Sequence, residues 1–186
     1  MSTTAEHAAE VYRDADCLYD LVAVERALDE MAQAVRARLD GTDPVVLVVM
    51  TGALMPAAGL LLRLDFPLRI DYVHATRYRE TTAGGELSWK RRHEAPLQGR
   101  TVLVIDDILD EGYTLQAIVE HCRREGAARV WSAVLVEKRH DRGVDFTADF
   151  VGLSVEDRYV FGYGMDYKGY LRNAPGIYAV ADHHLG

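Results

Sequence analysis

The sequence predicts an α/β fold, a mostly parallel twisted sheet flanked by helices. Three observations predict it. Short, almost wholly apolar runs rich in β-branched residues recur at 44–50, 101–105 and 130–136, the composition of strands covered on both faces. Segments with apolar residues at helical spacing lie between and around them, at 17–39, 54–64 and 114–125. The two kinds alternate with no internal repeat and no linker-like stretch, the order of parallel strands joined by crossover helices. A chain of 186 residues suits one domain with a sizeable core.

Element by element, residues 1–16 are polar and Ala-rich, a helix or a loose arm. Leu18, Leu21, Val22, Leu28, Met31, Val35 and Leu39 predict one amphipathic helix over 17–39, ended near Gly41. Pro44 to Met50 is an apolar strand, Thr51-Gly52 its exit turn, and 54–64 an apolar helix. Leu68, Ile70 and Tyr72 alternate with Arg69 and Asp71, as in a strand with one wetter face. Residues 76–96 are long, polar and Gly-containing, and a loop of that length is functional or disordered. Its Lys90-Arg91-Arg92 cluster reads as a solvated turn in preference to a phosphate site. Then come the strand at 101–105, the helix at 114–125, a strand at 129–137, and short strands near 149–153, 159–162 and 177–180. His183-His184 suggests metal binding, but without a third ligand the pair reads as a loose tail.

Bulk properties narrow the function. A net charge of −8 argues against nucleic acid as a partner, which needs a basic face. Cys17 and Cys122 give no disulfide framework, and Cys122 falls on the apolar side of a helix, where a small core residue is expected. No apolar run approaches the ~20 residues that span a bilayer. Met-Ser-Thr-Thr-Ala-Glu-His lacks the basic and apolar regions of a signal peptide. The expectation is a cytoplasmic protein without membrane partners.

The chemistry concentrates in Val102-Leu-Val-Ile-Asp-Asp-Ile-Leu-Asp-Glu-Gly-Tyr-Thr114. A buried strand runs into three carboxylates, a Gly-containing turn and a helix. Strand-to-helix turns at the carboxyl edge of a parallel sheet are where open α/β folds bind ligands. The N–H groups opening the helix favour a phosphate. Asp106 and Asp107 can grip hydroxyls or hydrated Mg²⁺, or be a charge pair at a strand end. Asp110 alone reads more readily as an N-cap of the helix than as a catalytic group.

This stretch resembles the diphosphosugar-binding signature of the type I phosphoribosyltransferases: an apolar strand, two acids, two apolar residues, Asp, a small residue, Gly, any residue, Thr. The C-terminal third of the chain resembles the 6-oxopurine, or hypoxanthine-guanine, branch. Glu137-Lys138-Arg139 ends the next apolar strand, then come Asp149-Phe-Val-Gly152, Tyr159-Val-Phe-Gly-Tyr-Gly-Met-Asp-Tyr167 and Tyr170-Leu-Arg172. The four blocks fall in order over about 45–180.

The resemblance implies transfer of the phosphoribosyl group from phosphoribosyl diphosphate to hypoxanthine or guanine, giving IMP or GMP and pyrophosphate, in purine salvage with Mg²⁺. It implies one domain over 1–186, a core over about 17–145 and a small C-terminal hood over about 146–186 joined by the N-terminal arm. It assigns Asp110 as general base near the purine N7. Asp106 and Asp107 would hold the ribose hydroxyls and metal, and 110–114 (Asp110, Glu111, Gly112, Tyr113, Thr114) the 5′-phosphate. Thr51, Gly52 and Arg172 would take pyrophosphate, in a loop whose peptide between the first two can be cis. Lys138 would reach the purine O6, Tyr159 stack on the ring, Val160 read its edge, and Asp166 hold a second Mg²⁺. Thr76, Arg77 and Tyr78 would open a mobile lid. Glu111 and Thr51 depart from the pattern, which has Thr or Ser and a basic residue there. Relatives imply a homodimer or homotetramer. The alternatives are a nucleotide-sensing regulator on the same fold, and the same chemistry on xanthine.

Overall fold

The computed structural model describes residues 3–77 and 87–185. The chain order is α1 (Ala5–Asp14), β1 (Asp16–Tyr19), α2 (Leu21–Leu39), β2 (Val45–Val49), α3 (Leu54–Leu61), β3 (Arg69–Arg77), β4 (Leu87–Arg91), β5 (Thr101–Leu109), α4 (Tyr113–Arg124), β6 (Arg129–Arg139), β7 (Phe150–Glu156), β8 (Val160–Phe161) and β9 (Ile177–Ala179), closed by a 3-10 turn at Asp182–His184.

Six strands form the main sheet in the order β4-β3-β2-β5-β6-β7. All pairings are parallel except the edge pair β3–β4. Every residue of β2 is buried, as are Val102 to Ile105 in β5. A strand covered on both faces needs apolar residues at consecutive positions rather than alternate ones, which is why these runs were legible. The core is built on those strands, with Val24, Leu28, Met31 and Val35 of α2, Ala57 and Leu60 of α3 and Leu115, Ile118 and Val119 of α4 packed on them. Cys122 is buried there, and burial pushes its thiol up to about 12, which makes it an inert core residue.

The second sheet is small, in the order β1-β9-β8. It carries its own apolar cluster of Val11, Phe161, Tyr167, Ala174 and Val180, so α1 is docked on it. Arg158 holds Asp16 at 2.6 Å within this hood, and the Tyr19 hydroxyl donates to the Ser154 carbonyl of β7 at 2.7 Å, tying the hood to the main sheet.

The structure corrects several sequence expectations. The helix expected from residue 17 begins at Leu21: residues 16–19 form β1, pairing with β9, and Asp20 is the N-cap, accepting from the Ala23 N–H at 2.8 Å. Leu18 satisfies either period, so periodicity alone did not separate the two. Part of the loop expected over 76–96 is strand, since β4 returns antiparallel along β3. Arg91 of the basic cluster lies over the Tyr72 ring at 4.5 Å instead of in a turn. His183-His184 is also no loose tail, because both imidazoles meet Asp14. β7 completes the main sheet, so the hood's strands come from β1 and from residues beyond Glu156.

Candidate active site

The chain leaves β2 through α3 to β3 on one side, and leaves β5 through α4 to β6 on the other. The direction of winding therefore reverses between β2 and β5, where such sheets leave a crevice. A cleft of about 740 Å³ opens there. It is lined by Thr51 and Gly52 after β2, by 106–115 from β5 into α4, and by Asp166 and Arg172 of the hood.

The turn after β5 carries the sharpest chemistry. Gly112, at φ +81°, is the N-cap of α4 and offers no capping side chain. The first-turn N–H groups of a helix have no partner within it, so this end is built for an anion. Asp110 is not the cap, which removes that reading of it. Its Oδ2 accepts from the Lys138 ammonium at 2.8 Å, and its Oδ1 accepts from His140 Nε2 at 2.7 Å. The His140 tautomer follows from its other nitrogen: the Arg142 N–H donates to Nδ1 at 3.1 Å, so Nδ1 carries the lone pair and Nε2 the proton. Burial works to raise the Asp110 carboxyl, but Lys138 and His140 outweigh it and hold the group below the usual carboxylate range.

Asp106 and Asp107 behave oppositely. Burial, and then the neighbouring carboxylate, pushes Asp106 well above the usual value. Burial also raises Asp107, against hydrogen bonds and the Arg172 guanidinium 4.0 Å away. Two adjacent carboxylates so destabilised are suited to a cation or a set of hydroxyl donors. Asp107 lies directly over Gly52: a Cβ built on Gly52 would fall 1.9 Å from Asp107 Oδ2. Arg172 pairs Asp166 at 2.7 Å and donates to the Gly164 carbonyl at 2.6 Å, both within the hood, and faces Asp107 across the cleft. The cis peptide is Met50–Thr51, one bond before the one the sequence pattern pointed to.

The cleft does not gather every expected residue. Lys138 is directed at Asp110, with Asp157 3.9 Å away, and does not itself line the cleft. Tyr159 is half-exposed, 5.5 Å from the Tyr167 ring, and its hydroxyl accepts from the Lys168 N–H. Val160 is buried in β8 opposite Ala179. Thr76 and Arg77 end β3, opposite Ser88 and Leu87, while Tyr78 lies outside the described residues. Sequence reasoning missed His140, Arg142 and Asp157, which join Asp110 and Lys138 in one charged group, and it set Lys90 in a solvated turn, whereas β4 brings it to the cleft. One signal was available for His140: residues two apart at a strand's end share a face, so Lys138 implied it.

Comparison with known proteins bears on this geometry. The phosphoribosyl transferase domain family matches residues 14–168. The hypoxanthine-guanine phosphoribosyltransferase of Bacillus subtilis (strain 168) is 33% identical over 155 residues, 83% of this chain and 86% of that one. The chain belongs to the hypoxanthine-guanine phosphoribosyltransferase family. The hypoxanthine-guanine-xanthine phosphoribosyltransferase of Tritrichomonas foetus is 31% identical over 86% of this chain and 88% of its own. A solved hypoxanthine phosphoribosyltransferase from Staphylococcus aureus superposes with a TM-score of 0.89 at 26% identity, covering 94% of this chain and 96% of that one. As a phosphoribosyltransferase the chain keeps the acidic strand-turn-helix while departing at Thr51 and Glu111. The Glu111 side chain is exposed at the cleft's rim.

Proposed function

We propose that this phosphoribosyltransferase transfers the phosphoribosyl group from phosphoribosyl diphosphate to hypoxanthine or guanine, releasing pyrophosphate and giving IMP or GMP for purine salvage. The observation that carries the reading is the convergence of three carboxylates, an uncapped helix N-terminus and Arg172 on one cleft at the switch point. The whole chain acts as one domain, with the hood closing the cleft. The 5′-phosphate sits on the turn 110–114, and the ribose hydroxyls meet Asp106 and Asp107. Pyrophosphate lies between Thr51-Gly52 and Arg172. The C1′–oxygen bond to pyrophosphate breaks as the purine nitrogen bonds to C1′, and the purine proton leaves towards Asp110.

The Asp110 carboxylate stands where positive charge builds on the purine and ribose. Held low by two donors, it is a weak base and a strong electrostatic partner, so its larger contribution is stabilising that charge. Lys138 orients Asp110 and offers its remaining hydrogens to the purine O6, while Tyr159 and Val160 bound the ring's far side. The lid residues Thr76, Arg77 and Tyr78 shield the cation from water.

The cofactor is Mg²⁺. The all-oxygen carboxylate set of Asp106 and Asp107, both pushed up by burial, fits a hard divalent ion. Asp166 fits a second one on the pyrophosphate side. When bound, such an ion would supply positive charge against the leaving pyrophosphate. No described helix is long and apolar enough to cross a membrane, and we place the enzyme in the cytoplasm. We also propose a homo-oligomer, dimer or tetramer. The consecutive elements α3 and β3 expose Leu54, Met55, Leu62, Ile70 and Tyr72.

The test is a turnover assay with phosphoribosyl diphosphate and Mg²⁺ on hypoxanthine, guanine, xanthine, adenine and uracil. Turnover of hypoxanthine or guanine that stops with EDTA is expected. Xanthine turnover alone would move the substrate. Silence on all five by a folded protein that still binds phosphoribosyl diphosphate would make it a nucleotide-sensing regulator.

A further inference from the structure

The histidine pair near residue 184, which the transferase chemistry does not use, meets a third ligand that only the fold supplies. Asp14 is the last residue of α1. Its Oδ2 lies 3.3 Å from His183 Nε2 and 2.9 Å from His184 Nε2. The two imidazole rings are 4.2 Å apart, and all three donor atoms fall within 4.8 Å of one another. Ligands on a tetrahedral ion with bonds of about 2.0–2.2 Å stand about 3.3 Å apart, so both nitrogens are already near the separation from the oxygen that one shared ion requires. The arrangement is also held in place. The His184 side chain is 12% exposed, and its ring centroid lies 5.5 Å from that of His7 in an edge-on arrangement, with His7 Nε2 engaged by the Tyr167 hydroxyl. The His184 N–H closes the 3-10 turn on the Ala181 carbonyl at 2.9 Å. His183, 65% exposed, leaves one side of the site open to water.

We propose that Asp14, His183 and His184 form a site for a divalent transition ion of the Zn²⁺ class. Two imidazole nitrogens and one carboxylate bind it, and water completes the coordination. Imidazole donors select such ions over Mg²⁺, so this site and the all-oxygen cleft take different metals. The ion joins the end of α1 to the turn after β9, two segments sequence-distant but both packed on the hood's own core. Its role is to clamp the hood rather than to take part in transfer.

The experiment uses the untagged full chain in millimolar Mg²⁺, titrated with Co²⁺ and followed by visible d–d absorption, then displaced with Zn²⁺. Among the described residues, the other group of comparable geometry is Asp110, His140 and Asp157, in the active site. The variants are therefore Asp14→Ala, His183→Ala and His184→Ala, with His140→Ala reporting on the cleft. One saturable equivalent is expected in wild type and in His140→Ala, weakened roughly tenfold or more in the other three, at least the scale on which even outer-shell changes act. A hundredfold excess of Zn²⁺ over the wild-type dissociation constant should raise the wild-type melting temperature by roughly 5–10 °C and that of His183→Ala by no more than about half as much. His183 is exposed, so that variant tests the site without disturbing the fold. No saturable absorption in wild type, absorption unchanged in the three variants, or absorption lost in His140→Ala would overturn the proposal. None of these readouts depends on turnover.

Discussion

Asp110 receives a donor on each carboxylate oxygen, and that pairing makes its role testable. Asp110→Asn removes a negative charge from the cleft and, on the proposed function, should lower turnover by roughly a hundredfold or more, with affinity for phosphoribosyl diphosphate nearly unchanged. Unchanged turnover would take Asp110 out of the chemistry. The pH dependence has a definite sign. Because the carboxyl is held low, the carboxylate survives to lower pH than an ordinary one, and activity that needs it is lost only as pH falls through that depressed value. The stabilisation from its partners obeys the same window, present above the unfolded value and fading below it. His140→Ala removes one donor, so Asp110 should rise towards the ordinary range and the acid limb of the turnover profile should move to higher pH. A limb that stays in place would mean that this hydrogen bond does not govern ionisation in the working complex.

At the scale of elements, β4 is the strand the sequence hid. Leu87-Ser-Trp-Lys-Arg sits inside a polar, Gly-containing stretch, and as an antiparallel edge strand it needs no continuous apolar run. The buried strands and three main helices were legible because packing on both faces imposes composition. β1 was not, since four residues are too few to show a period and Leu18 suited the helix next to it. The acidic turn was legible in one block of sequence, whereas its partners Lys138, His140 and Asp157 depend on how β6 and β7 align beside β5. Asp71 secures the new hairpin, its Oδ2 accepting from the Glu94 and Ala95 N–H groups at 2.6 and 2.8 Å. Asp71→Ala should cost about 1–2 kcal/mol, a fall in melting temperature of roughly 2–8 °C by calorimetry. It should also weaken phosphoribosyl diphosphate binding, because β4 carries Lys90 to the cleft. A normal melting temperature would show that the hairpin does not rely on this anchor.

At the scale of the whole molecule, the hood and the core meet over the cleft, and the core's outer side is apolar where α3 gives way to β3. Leu62 is 89% exposed, so Leu62→Asp in a monomer should change stability by no more than about 0.5 kcal/mol. If that side joins two copies, the variant should instead drop from oligomer to monomer by light scattering at micromolar concentration. A monomeric wild type would end the oligomer reading. At one point of that meeting two backbones approach with no side chain between them. A Cβ built on Gly164, at φ +109°, would stand 2.1 Å from the Gly52 carbonyl oxygen, and one on Gly52 would strike Asp107. Contacts between side chains can be tuned by degrees, but a contact between main chains is kept or lost. In a saturation library selected for function, position 164 should therefore tolerate nothing, while the exposed position 111 yields a continuous spread of fitness.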